Sequence, residues 1–130
     1  MLPAPQFVNL VSSRRIDSGA GGVPATHALS PPDQYSLGLG ISEIAVGLEI
    51  AELDVNGGVT VKMEWSWDGR LWRVGSTVIA EKTGVDVYTG VFNTAAERTP
   101  FLRVIAEIRD TTTTAPVGGT VNAWAVYRYY

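Results

Sequence analysis

The sequence predicts an all-β chain folded as an antiparallel β-sandwich, of jelly-roll or immunoglobulin-like type, with about seven to nine strands. Three observations point there. Fourteen glycines and seven prolines in 130 residues are too many for a helical bundle and suit short strands joined by turns. Apolar residues recur with a period of two through most of the chain, and turn signals interrupt them roughly every ten residues. With 45% apolar and 18% charged residues, the length allows one packed core.

Residues 1–33 differ from the rest. Pro3, Pro5, Pro24, Pro31 and Pro32, with Gly19, Gly21 and Gly22, break helices and ladder hydrogen bonding alike. Only residues 6–12 read as strand. The segment is therefore expected to be an extended N-terminal arm that orders on a partner, with a long loop packed on its own domain as the alternative. Residues 34–130 are expected to form the sandwich domain.

Tyr35, Leu37, Leu39 and Ile41 alternate with small polar residues, and Ile44, Val46, Leu48 and Ile50 continue in the opposite phase. The phase change predicts a bulge near Ser42 and Glu43. Asn56-Gly57-Gly58 predicts a hairpin turn. The return strand carries Val59, Val61, Met63 and Trp65 on one face and Thr60, Lys62, Glu64 and Ser66 on the other. Asp68-Gly69 predicts a second hairpin, followed by a strand from Leu71 to Val74, a short piece at residues 78–80 and a strand at 85–92. Residues 101–109 should place Leu102, Val104, Ala106 and Ile108 inward. A polar loop at 110–119 leads to a closing strand at 120–130. Ile41 to Leu53 is the one weak helical candidate, and its alternation decides for strand.

Composition excludes much chemistry. Without cysteine there is no disulfide, thiolate nucleophile or cysteine zinc site, and a single histidine cannot make a two-histidine centre. His27 lacks a nucleophile motif. Glu49, Glu52, Glu64, Glu81 and Glu107 fall mostly on outward strand positions, where solvation explains them better than glycosidase chemistry. No calcium loop or phosphate-binding loop is present. The chain is expected not to be an enzyme and to need no cofactor or metal. The net charge of −3 argues against general affinity for nucleic acid or anionic membranes, although a local basic patch survives this test. Residues 1–5 lack the basic and apolar regions of a secretory signal peptide, and no run approaches the roughly 18 apolar residues of a membrane-spanning helix.

Partner-binding residues are expected in the arm: Phe7, Leu10, Val11 and Ile16 as apolar contacts, Arg14 and Arg15 as carboxylate binders. Eight arginines against two lysines suit a protein interface. Trp65 and Trp67 share strand parity, so an exposed pair could stack on sugar rings. The competing expectation puts Trp65 and Trp72 in the core with Trp67 over the turn.

Ser66-Trp67-Asp68-Gly69-Arg70-Leu71-Trp72 resembles the Ser-x-Asp-Gly-x-x-Trp hairpin of small β-sandwich proteins in tailed bacteriophage particles, and the resemblance runs from Val59 to about Tyr127. It implies a capsid decoration, or cement, protein that binds the major capsid protein on the outer head surface and stabilises the shell. A symmetric oligomer, for example a trimer, and residence on the virion after synthesis in the host cytoplasm follow from the same resemblance. The alternative is a tail, fibre or host-attachment module that binds carbohydrate through Trp65 and Trp67.

Overall fold

The computed structural model describes residues 5–29, 41–93 and 101–129. Among them run eight strands: β1 (Gln6–Asp17), β2 (Ala25–Ala28), β3 (Ile41–Leu53), β4 (Gly57–Ser66), β5 (Arg73–Lys82), β6 (Asp86–Asn93), β7 (Phe101–Asp110) and β8 (Gly118–Tyr129), with a 3-10 turn at Ala20–Gly22. They form two four-stranded antiparallel sheets. Sheet A has the order β1-β8-β3-β6 and sheet B the order β2-β7-β4-β5. Only β4 and β5 are both consecutive and paired. This is the jelly-roll order, which sets aside the immunoglobulin-like arrangement with its several paired hairpins.

The period-two pattern fills the space between the sheets. Sheet A contributes Ile44, Val46, Leu48 and Ile50 from β3 and Val121, Ala123, Ala125 and Tyr127 from β8. Sheet B contributes Val59, Val61 and Met63 from β4 and Leu102, Val104, Ala106 and Ile108 from β7. The expected bulge is present as a register shift between Ile41 and Glu43 against β8. The alternating segment at residues 35–40 lies outside the described residues.

The turn at Asn56 differs from expectation in what it joins. Asn56 does take a positive φ of 67°, and Gly57 donates its N–H to the Asp54 carbonyl at 2.9 Å. The turn nevertheless carries the chain from sheet A to sheet B. β3 is already flanked by β8 and β6, and β4 by β7 and β5, so neither has a free edge for the other. Asp68-Gly69, by contrast, closes a true hairpin between β4 and β5. Residues 73–82, read as two short pieces, form one strand with three register shifts against β4.

Residues 5–29, read as part of an arm, supply the edge strands of both sheets. β1 pairs with β8 and β2 with β7. Two register shifts interrupt β1, between Asn9 and Val11 and between Val11 and Arg14, and Ser13 has a φ of 47°. Such bulges scramble the alternation by which a strand is read. Residues 30–33 lie outside the described residues. Two side chains tie the edges together: Arg14 Nη1 donates to the Ala28 carbonyl at 2.5 Å, and His27 Nε2 lies 2.8 Å from the Asp17 carbonyl. A carbonyl only accepts, so His27 carries its proton on Nε2 there.

The loop after β7 is organised by Asp110, which is buried. Its carboxylate accepts from the Thr112 hydroxyl at 2.7 Å, the Thr112 N–H at 2.8 Å and the Ala115 N–H at 3.0 Å. These bonds, the Thr112 hydroxyl foremost, hold its carboxyl well below the usual carboxylate range. Asp68 is held down to about 2, chiefly by the N–H of Leu71 and then that of Arg70. Both folded values are depressed, so their stabilisation is complete above the unfolded pKa of about 4 and is lost as pH falls through the folded value. Asp110→Asn is expected to melt earlier than the parent at neutral pH and to show a flatter decline on acidification below about pH 4. Thermal melts at stepped pH check this; an unchanged acid limb would contradict it.

Candidate interaction surfaces

The structure divides the expected arm interface. Leu10 and Ile16 are core residues, Val11 packs partly buried against that core, and Arg14 is the tie to Ala28. Leu10 and Ile16 are thus unavailable to a partner in the folded chain. Arg15 bonds Asp17 at 3.1 Å and lies 3.7 Å from Asp54. Of the four apolar residues Phe7 alone is exposed, at 67%.

Phe7 belongs to a row that the sequence did not suggest. Register pairs Phe7 of β1 with Val126 of β8, Val126 with Ala45 of β3, and Ala45 with Val91 of β6. All four point away from the core, and Val91 is 60% exposed. The next row is Asn9, Trp124, Gly47 and Thr89. The Trp124 indole lies directly on Gly47, where a Cβ would overlap ring atoms, so the indole spreads flat along the sheet. Val87, also exposed, continues the apolar surface beside Glu49. The outer face of sheet A is therefore a mostly apolar band, interrupted at its edges by Asn9 and Thr89 and bounded by Arg128 and Glu43 at one end and by Glu49 with Asn122 at the other. The signal was available as the outward phase of four strands, but it appears only once strand order places the four side by side.

The outer face of sheet B has the opposite chemistry. Arg109 grips Glu81 through Nε at 2.6 Å and Nη2 at 2.9 Å, and this bond keeps the Glu81 carboxyl below its ordinary range. Lys62 pairs with Glu107 at 3.4 Å. Arg103 Nε donates to Glu64 at 2.6 Å, with its guanidinium 4.3 Å from the Trp72 ring centre. These charges satisfy one another within the face.

The β4–β5 hairpin tip forms a third surface. The Ser66 hydroxyl, fully buried, donates to Asp68 at 3.0 Å and accepts from the N–H groups of Asp68 and Gly69 at 3.3 and 2.9 Å. Asp68 accepts from the N–H groups of Arg70 and Leu71 at 2.8 and 3.0 Å. Gly69 takes a φ of 77°, as a turn glycine should. Trp67 projects, 67% exposed, with Leu71 76% exposed beside it. Trp65 packs partly buried against the core. The Trp65 and Trp67 rings meet edge-on, 6.5 Å apart and at 85°, so the pair offers no coplanar platform. Trp72 is half-buried under Arg103 rather than in the core.

Among the described residues no group of three or more His, Asp or Glu is arranged to hold a metal ion, and no helix is long and apolar enough to cross a membrane.

Strand order and surface chemistry together define the class: a jelly-roll sandwich with one apolar and one self-neutralised charged face. Solved structures share this fold. The PBSX exported protein XepA matches with a TM-score of 0.58 at 10% identity, over 96% of this chain and 37% of that one. The infectious bursal disease virus VP2 subviral particle matches at 0.55 and 11% identity, over 97% of this chain and 33% of that one. The Gx strain of the same virus matches at 0.56 and 12% identity, over 98% of this chain and 33% of that one. The chain thus spans about a third of the length of the structures it resembles. No family model and no curated protein matches the sequence.

Proposed function

We infer that the chain is a virion structural protein of the capsid decoration type, docking on the major capsid protein through the outer face of sheet A. The observation that carries this reading is the asymmetry of the two faces. Continuous exposed apolar surface on a folded domain marks an interaction site, whereas a face whose charges are already paired gains little from a partner. The jelly-roll likeness to virus particle structures supports a particle-associated role. Docking is assigned to the face, with Phe7 at its edge, and not to an extended arm. A protein that prefers the assembled shell stabilises it by mass action, whatever its own chemistry.

The test is pelleting with capsid shells that lack this protein. Phe7→Glu and Val91→Glu, on opposite edges of the apolar row, are each expected to weaken binding on the order of tenfold or more, because each buries an unpaired carboxylate against the partner. Glu107→Lys on sheet B should leave binding within about threefold. Pelleting unaffected by both sheet A substitutions would sink the reading. A shared effect with loss of self-association would instead show that the face joins copies of this chain.

The second reading, a host-attachment module that binds carbohydrate, draws on Trp67, an exposed ring on a hydrogen-bonded turn. It is a one-ring site, since Trp65 is turned across it. Tryptophan fluorescence unchanged across a panel of polysaccharides would dispose of it.

A further inference from the structure

The hairpin tip satisfies its own backbone N–H groups with its own side chains. Four successive N–H groups, from Asp68 to Leu71, are satisfied by the Ser66 hydroxyl and the Asp68 carboxylate. A loop that enters an apolar medium must satisfy such groups internally. The side chains that this turn holds outward are Trp67 and Leu71, and Val74 at its base is also exposed. Trp is the residue most at home at a membrane–water boundary.

Charge adds the second observation. Arg70 and Arg73 flank the apolar tip on its exposed side. Arg73 reaches across the Trp65 ring at 5.8 Å, and among the described residues neither arginine is held in an ion pair. Of the acidic residues nearby, Glu64 is neutralised by Arg103, whereas Asp68 stays ionised within the turn and offsets one of the two arginines. The tip thus keeps one uncompensated positive charge on a chain whose net charge is −3.

We propose that the β4–β5 tip is a lipid-docking element that inserts Trp67 and Leu71 at the headgroup level of a bilayer bearing anionic lipid. Arg70 and Arg73 sit at the phosphates, with their stems along the apolar boundary. Rigidity contributes, because the Ser66–Asp68 network leaves little to order on binding. The acidic remainder of the chain keeps the sheets off the surface, so contact is confined to the tip. This inference goes beyond the decoration reading and uses a different surface.

The experiment is co-sedimentation of the full chain with phosphatidylcholine vesicles and with vesicles that also contain phosphatidylglycerol, read alongside tryptophan emission. Binding is expected to the anionic vesicles, with a blue shift, and to weaken as salt is raised. Trp67→Ser combined with Leu71→Ser should lower partition more than about tenfold. Arg70→Glu, which leaves the apolar tip and turn bonds intact, should lower it on the order of tenfold. Circular dichroism melts confirm that each variant is folded. Phe7→Glu and Val91→Glu should leave partition unchanged, so failure of sheet A docking and failure of lipid docking are separately visible. Absence of partition into either vesicle, or partition indifferent to the tip variants, overturns the proposal. So does loss of shell binding by the tip variants without vesicle binding, which would make the tip a protein contact.

Discussion

Gly90→Ala is expected to destabilise the protein by about 3 kcal/mol, at the upper end of the usual cost of overpacking. Gly90 is on the inward face of β6, between Tyr88 and Phe92, and pairs with Val46. β6 is the edge of sheet A and β5 the edge of sheet B. At Gly90 these two edges approach so closely that a Cβ would overlap the Val78 carbonyl oxygen and lie 2.9 Å from Ile79 Cγ1. A side chain could swing away. A backbone carbonyl can move only if β5 moves, and β5 is held by its ladder to β4. The sign makes the test sharp, because Gly→Ala at an unstrained site stabilises by about 0.4–1 kcal/mol. Gly84→Ala is the control: among atoms outside its chain neighbours the nearest to its Cβ is the Tyr88 hydroxyl at 3.5 Å, so the change should be neutral or stabilise by up to about 1 kcal/mol. Urea unfolding at constant m reads both, and a Gly90→Ala midpoint at or above the parent value would show that the sheets do not close there.

Gly90 also marks where the sequence stops being legible. Its residue type suggests a strand limit, and only the third dimension shows it as the point where the two sheets meet. The inward residues of β3, β4 and β7 were legible because each lies in a strand with one buried face, where alternation is enforced. Val59, Val61 and Met63 follow it without exception. β1 was not legible past Ser12, because its bulges reset the phase twice, and Ile16 consequently reads as arm while it is fully buried. The Asn56 turn shows a different limit. Local chemistry dictates the positive φ but says nothing about which sheet the chain enters next. The same limit hid the apolar row of sheet A, whose members are separated by long stretches of sequence and come together only through the order β1-β8-β3-β6.

The tip was the reverse case. Ser66, Asp68 and Gly69 announce their hydrogen bonds from sequence, since a Ser or Asp side chain two or three residues before a free N–H closes a local ring. What sequence could not supply was the fate of the aromatics. Trp72 reads as a core residue, yet it lies on the outer side of sheet B because Arg103 is there to cover it.

Arg103→Ala is expected to cost about 3–5 kcal/mol, the usual penalty for breaking a buried pair. Glu64 is 8% exposed, and its carboxylate receives Arg103 Nε at 2.6 Å and is also contacted by Nη2. Removing the guanidinium leaves a carboxylate that water barely reaches and also uncovers the Trp72 ring. Arg103→Met separates these two losses: its side chain can still cover the indole but cannot neutralise Glu64. If the stranded charge dominates, Arg103→Met should cost most of what Arg103→Ala costs, and adding Glu64→Leu should recover much of it, as replacing both members of a buried pair often does. If covering the indole dominates, Arg103→Met should be nearly neutral and Glu64→Leu should rescue nothing. The stranded-charge account is the stronger one, because Arg103 is itself mostly buried and its bonds to Glu64 bridge β7 to β4 next to the hairpin. An Arg103→Met variant that unfolds within about 1 kcal/mol of the parent would refute it. The same pair neutralises Glu64 beside the tip, so Arg103→Met in the vesicle assay should weaken partition even where the fold survives, by returning an uncompensated negative charge to the base of the cationic surface.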